Sequence, residues 1–298
     1  MGVTILNALA LLEARAEGAS FERTLTLGRL AGFLSPKDLA RIARALPPGS
    51  AFAETVARGE SPTFMDDLFR AMGAQEVETL DVSAFEGATI VHDLNQPLPE
   101  ALHGRFDAVV DGGTLEHVFN VPVAMRNAMD AVAAGGRFYA SLPANNYCGH
   151  GFYQFSAEFF YRVFSQENGF TLEKLLVGRA WAHGRWLDGP AFDVTDPNVM
   201  RERVNIGGDG GLLFLVQARK DATAPVFASW PQQSDYSAQW AHGGGADAPA
   251  VWPAASVVGL MTRRARGAVR LLRRMHARRK WRRQSRANPA LKAHEWPF

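Results

Sequence analysis

Between residues 77 and 113, three apolar runs follow one another in quick order, and each closes on acidic or glycine residues. Residues 77–82 end at Asp81-Val82-Ser83, residues 88–92 run into Asp93-Leu94-Asn95, and residues 106–110 run into Asp111-Gly112-Gly113. In an open parallel sheet the carboxyl ends of the strands form the ligand-binding edge, because loops and helix N-termini converge there. Three such endings in one stretch imply an α/β fold with a doubly wound, mostly parallel sheet.

The flanking pattern agrees. Thr24-Leu25-Thr26-Leu27-Gly28 reads as a first strand ending in a glycine turn. A helix is predicted over 36–46, with Ser35 as N-cap and Pro36 in its first turn. Residues 47–62, rich in Pro, Gly and Ser, read as a loop, and 64–72 as a short helix stopped by Gly73. A helix over 121–133 is expected to close at Gly135-Gly136 and lead into a strand at 137–142. Ser156 caps a helix whose apolar face carries Phe159, Phe160, Val163 and Phe164, with Gly169 as its stop. Residues 170–177 and 212–217 read as two last strands, separated by an insertion of about 30 residues.

Composition narrows the class. A chain of 298 residues with 47% hydrophobic content can bury a full core. A single cysteine, Cys148, excludes an internal disulfide framework and argues against a thiolate zinc site. The N-terminal run is broken by Glu13 and lacks a basic start, so it reads as an amphipathic helix and not as a signal peptide. No run of about 18 apolar residues is present to form a transmembrane helix, and a cytoplasmic location is expected. The formal charge of +2 hides an asymmetry: residues 263–286 hold twelve of the 32 basic residues and no acidic one. The rest keeps 20 basic against 30 acidic residues, a net of −10.

In the order of these elements, and in Asp81, Asp93 and the segment Asp111-Gly112-Gly113-Thr114-Leu115-Glu116-His117, the chain resembles the class I S-adenosylmethionine-dependent methyltransferases. The resemblance covers roughly residues 20–220 and is strongest over 80–155. It implies a Rossmann-like sheet completed by an antiparallel hairpin, with S-adenosylmethionine as cofactor. It also implies that Asp81 binds the ribose hydroxyls, that Asp93 and Leu94 lie near the adenine, and that Asp111 and Gly112 begin the segment passing the methionine end. The chain departs from the family at the first turn. Where a G-x-G-x-G turn is usual, Gly28-Arg29-Leu30-Ala31-Gly32 keeps only Gly28 in a matching position.

Each candidate has a plainer rival. Asp81 also suits a turn with Ser83, and Asp93 a turn with Asn95 before Pro97. Glu116 and His117 follow a glycine pair at a strand end, a poor core segment, so both are catalytic candidates, and His117 or His150 is expected to act as general base on a hydroxyl acceptor because imidazole titrates near neutrality. After the fifth strand, residues 145–155 gather amides, phenols, glycines and His150. Asn145, Asn146, Tyr153 and Gln154 there suit a small-molecule or glycan-like acceptor, unless the segment is an aromatic plug. Cys148 reads as a bystander thiol. His92 with Asp93, and His150 with distant acids, lack a recognised ligand spacing, so no metal site is expected.

The expected organisation is a methyltransferase-like domain over 1–220, a linker over 221–255 and a basic amphipathic helical tail over 256–298. In the tail, Val258, Met261, Ala265, Ala268, Leu272 and Met275 recur at helical spacing among arginines. That pattern suits an anionic membrane surface or a protein partner. Nucleic acid is the weaker expectation, since no stacking platform accompanies the charge. Two other functions stay open beside small-molecule methyl transfer: a non-catalytic binding module, and a nucleic-acid methyltransferase that uses the tail.

Overall fold

The computed structural model describes residues 2–182, 185–186, 189–207, 210–241, 288 and 290–298. A short strand β1 (Gly2–Val3) leads into helix α1 (Ile5–Ala16), whose Thr4 side chain accepts the Asn7 N–H as an N-cap. Strand β2 (Arg23–Leu27) matches the predicted first strand, and β3 (Ala31–Gly32) follows the glycine turn. Helix α2 (Pro36–Arg44) begins with a full capping box: Ser35 accepts the Asp38 N–H, and Asp38 accepts the Ser35 N–H. The predicted loop at 47–62 instead contains helix α3 (Ala51–Ala57), capped by Ser50 and anchored by the fully buried Phe52. Helix α4 (Asp66–Ala71) precedes strands β4 (Glu76–Asp81), β5 (Ile90–Val91) and β6 (Phe106–Asp111).

Helix α5 (Val121–Ala131) passes into a long strand β7 (Val132–Asn145). The Gly135-Gly136 pair therefore does not separate helix from strand. It lies inside β7, where the pairing with β6 shifts register between Phe106 and Ala108. Helix α6 (Ala157–Val163) starts at Ser156 as expected, and β8 (Phe170–Ala182), β9 (Arg185–Trp186), β10 (Ala191–Val194), α7 (Pro197–Met200) and β11 (Gly211–Lys220) follow. The expected linker includes helix α8 (Ser234–Ala241), with Val226 and Phe227 before it buried in the core. Most of the expected tail, residues 256–287, lies outside the described residues. Its far end is not helical: β12 (Leu291–Ala293) pairs antiparallel with β10.

The large sheet runs β12-β10-β8-β11-β7-β6-β2-β4-β5, with β9 on β8. From β5 to β7 all pairs are parallel, and from β7 to β12 all are antiparallel. Alternate strand residues feed opposite faces. Val109 and Phe138 pack with α5 and α6, whereas Ala108, Val110 and Tyr139 pack with α1 to α4. After β2 the chain winds outward to β4 and β5, then returns to place β6 on the other side of β2. The crevice beyond the carboxyl ends of β2 and β6 is thus the topological switch point, where open α/β sheets bind ligands.

Candidate active site at the switch point

Gly28 opens the crevice with φ +70° and donates its N–H to Leu80 O at 2.8 Å, tying the first turn to β4. Arg29 lies sideways: it donates to Glu86 O at 2.9 Å, pairs with Asp66 at 3.2 Å and covers the Phe64 ring at 4.1 Å. Leu30, not Arg29, faces the opposite wall. A Cβ on Gly112 would lie 2.7 Å from Leu30 Cδ2 and 3.1 Å from Gly2 O. The strand β1 pairs with β3, and Gly2 donates to Gly112 O at 2.8 Å, so the N-terminal strand spans the two turns.

Asp81 stands half-buried at the end of β4, and its carboxylate accepts only the Ser83 N–H, at 3.4 Å, among the described residues. Asp93 is committed locally. Its Oδ1 accepts both the N–H and the side-chain amide of Asn95, at 2.9 and 2.8 Å, and these bonds hold its pKa below the usual value. The Leu94 side chain belongs to the core, so only its backbone is open to the adenine role implied above. The Asp111 carboxylate is fully buried and accepts N–H groups from Gly113, Thr114 and Leu115, which makes it the internal cap of the turn rather than a ligand-facing group. Burial raises its pKa against the pull of those N–H groups.

Glu116 is the exceptional residue. Only 2% exposed, it leaves Oε2 with no hydrogen-bond partner among the described residues. Burial, reinforced by the charge of Asp111, pushes its pKa well above the carboxylate range. Its Oε1 lies 3.5 Å from His150 Nε2, and the His150 ring sits 4.7 Å from that of His117, nearly edge-on at 74°. Burial lowers the pKa of both imidazoles, and the charge of His150 adds to the effect at His117. The structure thus brings together Glu116, His117 and His150, from two loops more than 30 residues apart.

The other loop residues mostly hold the loop itself. Asn145 donates to Ile206 O and Asn146 to Gly210 O, each at 2.8 Å. Tyr153 donates to Phe119 O at 2.6 Å, and Gln154 Oε1 accepts the Tyr147 N–H at 2.8 Å. Each of these four side chains, expected above to meet an acceptor, commits a polar group to the backbone. The residue that sequence reading passed over is Tyr147. Its hydroxyl has no partner among the described residues, and burial with the nearby Glu116 charge raises its pKa. The density of aromatic and glycine residues around it was the available signal. Phe119 and Phe152, exposed and in edge contact at 5.6 Å, flank the same mouth.

A cavity of about 580 Å³ lies elsewhere, beside α5 and α6, among Met125, Phe159, Arg162, Phe227 and Trp230. Arg162 there is neutralised by Asp196 at 2.8 Å, and no buried unpaired carboxylate or imidazole lines it. The switch point is the better candidate for chemistry.

No protein-family model and no curated protein matches the chain. Among solved structures it is similar to the branched-chain polyamine synthase of Thermus thermophilus, at 18% identity over 77% of this chain and 60% of the synthase, with a TM-score of 0.34. The chain therefore spans less than two thirds of that protein. It is also similar to a Thermotoga maritima methyltransferase described as a possible histamine N-methyltransferase, at 15% identity over 73% and 89%, TM-score 0.35. A third is the N-methyltransferase NodS of Bradyrhizobium japonicum, at 15% over 72% and 84%, TM-score 0.35. The doubly wound order of the sheet, its antiparallel completion and the strand ends gathered at the switch point make a Rossmann-like α/β fold, the architecture that the methyltransferase resemblance leads one to expect.

Proposed function

We propose that the chain is an S-adenosylmethionine-dependent methyltransferase acting on a small hydroxylated or glycan-like acceptor. One observation carries the reading: a buried carboxylate with an orphaned oxygen, Glu116 Oε2, stands with two imidazoles at the switch point of the sheet. Such a group normally has a partner, and a ligand supplies one when the protein does not.

The residues present fit the cofactor. Asp81 keeps acceptor capacity for a pair of vicinal hydroxyls. The turn built on Asp111, together with the carboxyl of Glu116, would face the methionine end. The cofactor supplies an already activated methyl group. What remains for the protein is alignment, exclusion of water and custody of the acceptor proton. His117 and His150, held neutral near pH 7 by their lowered pKa values, suit that last task. The unpartnered Tyr147 hydroxyl would orient an acceptor oxygen, with the Phe119 and Phe152 rings covering it.

A second reading, a non-catalytic module, is favoured by Leu30, which stands in the first turn where the family keeps glycines and, together with Gly2, closes over Gly112. Calorimetric titration with S-adenosylmethionine and S-adenosylhomocysteine, on wild type and Asp81→Ala, separates the two. Micromolar binding lost in the variant supports the enzyme. No binding at millimolar ligand supports the module. The basic stretch at 256–286, on its apolar stripe, we assign to an anionic membrane surface or a protein partner.

A further inference from the structure

We infer that Glu116, His117 and His150 form a site for a divalent transition-metal cation of the zinc and cobalt class, with at least one coordination position open to solvent. One carboxylate oxygen and one nitrogen from each imidazole lie within 4.8 Å of one another. A tetrahedral ion with bonds of about 2.0–2.2 Å needs its ligand atoms about 3.3 Å apart. The Glu116 Oε1 to His150 Nε2 separation of 3.5 Å already matches that edge. The third ligand, His117, already lies within the same 4.8 Å cluster and is exposed, so its side chain has room to rotate.

An independent observation also points to a ligand. Glu116 is only 2% exposed, and its Oε2 meets no donor among the described residues. A buried carboxylate in that state is expensive unless a proton or a cation completes it. The backbone prepares the arrangement. Phe152 and Tyr153 both donate their N–H groups to Glu116 O, at 2.7 and 3.3 Å, which clamps the His150 loop onto the Glu116 turn.

The donor set selects the class of cation. Two imidazoles and one carboxylate suit borderline ions such as Zn²⁺, Co²⁺ or Fe²⁺, whereas Mg²⁺ and Ca²⁺ take oxygen ligands. Three protein ligands are the pattern of catalytic sites, in which the remaining position takes water or substrate. In the methyl-transfer reading, an acceptor hydroxyl on that position would be acidified by the cation and would release its proton to solvent, and the imidazoles would serve as ligands instead of bases. Metal binding itself does not depend on that reading.

The test is titration of the chelator-stripped full chain with Co²⁺, followed by visible absorption and calorimetry. One Co²⁺ per chain is expected, displaced by Zn²⁺ but not by Mg²⁺. His117→Ala, His150→Ala and Glu116→Gln should each weaken binding by at least about tenfold, while His103→Ala, at an imidazole that instead meets Leu98 O at 3.1 Å, leaves it unchanged. Should Glu116→Gln fail to fold, the two variants at exposed imidazoles decide alone. Absence of binding at millimolar Co²⁺, or binding that survives in both His117→Ala and His150→Ala, overturns the site. Titration with S-adenosylhomocysteine on the same samples keeps this outcome separate from that of the methyltransferase reading.

Discussion

Gly151 packs on the main chain of Glu116 so closely that a Cβ at position 151 would lie 2.7 Å from the Glu116 carbonyl oxygen. Its φ of +70° is also one that other residues adopt with strain. These two facts hold His150 next to Glu116. Gly151→Ala is therefore expected to lower stability by about 1–3 kcal/mol and to separate His150 from Glu116. Chemical denaturation reads the first effect, and the loss of Co²⁺ binding without loss of S-adenosylhomocysteine binding reads the second.

Arg29 ties the loop after Asp81 to α4 through Glu86 O, Asp66 and the Phe64 ring. The guanidinium is about one-third exposed, so its removal should change stability by less than about 1 kcal/mol. Arg29→Ala is expected to weaken S-adenosylhomocysteine binding several-fold by releasing the segment that positions Asp81. Calorimetry on wild type and variant is the check.

Lys220 is buried at the end of β11 and donates to Met129 O and Val132 O at 3.2 and 2.8 Å. It thereby satisfies carbonyls at the C-terminus of α5, which would otherwise be orphaned. Lys220→Met should lower unfolding free energy by about 2–3 kcal/mol, with cofactor binding intact at permissive temperature.

His294, just after β12, lies 3.5 Å from Asp193 and 3.3 Å from Glu13. The hydrogen bond with Asp193 raises its pKa above the usual 6.5, and the charges of Glu13 and Asp193 add to this against burial. A raised imidazole stabilises the folded state fully below about pH 6.5, and that contribution is lost as pH rises through the raised value. Hydrogen exchange at residues 291–294 should accelerate on going from pH 6 to pH 8.5 in wild type, beyond the intrinsic effect of pH. His294→Ala should show little of this excess.

If the basic stretch addresses an anionic surface, replacing Arg278, Arg279, Arg282 and Arg283 by Glu should abolish cosedimentation with phosphatidylserine vesicles at low salt. Unchanged cosedimentation would redirect attention to the protein-partner role.

Local chemistry was legible along the chain. The Ser35–Asp38 capping box, the Ser156 cap and the acidic strand ends all act within a few residues of themselves, so their sequence spacing reports them. The order of alternating elements then implied the doubly wound sheet, because parallel strands require crossovers. Where local signals were weak or ambiguous, reading failed. Loop-forming composition concealed α3, whose decisive feature is the burial of Phe52, and the Gly135-Gly136 pair proved to be a bulge within β7.

The site divides along the same line. The sequence by itself determined that acidic strand ends, Glu116 and His117 would meet at the carboxyl edge of the sheet. Tertiary structure alone decided which of them are free to act. The Asp111 carboxylate caps its own turn, one oxygen of Asp93 holds Asn95, and the amides of Asn145 and Asn146 donate to carbonyls some 60 residues away. It also set His150 against Glu116 across 34 positions, a pairing that no motif spacing encodes. The physical reason is that hydrogen-bond commitment and desolvation depend on neighbours in space. A sequence names the groups, and only the packed chain fixes which of their atoms are left without a partner.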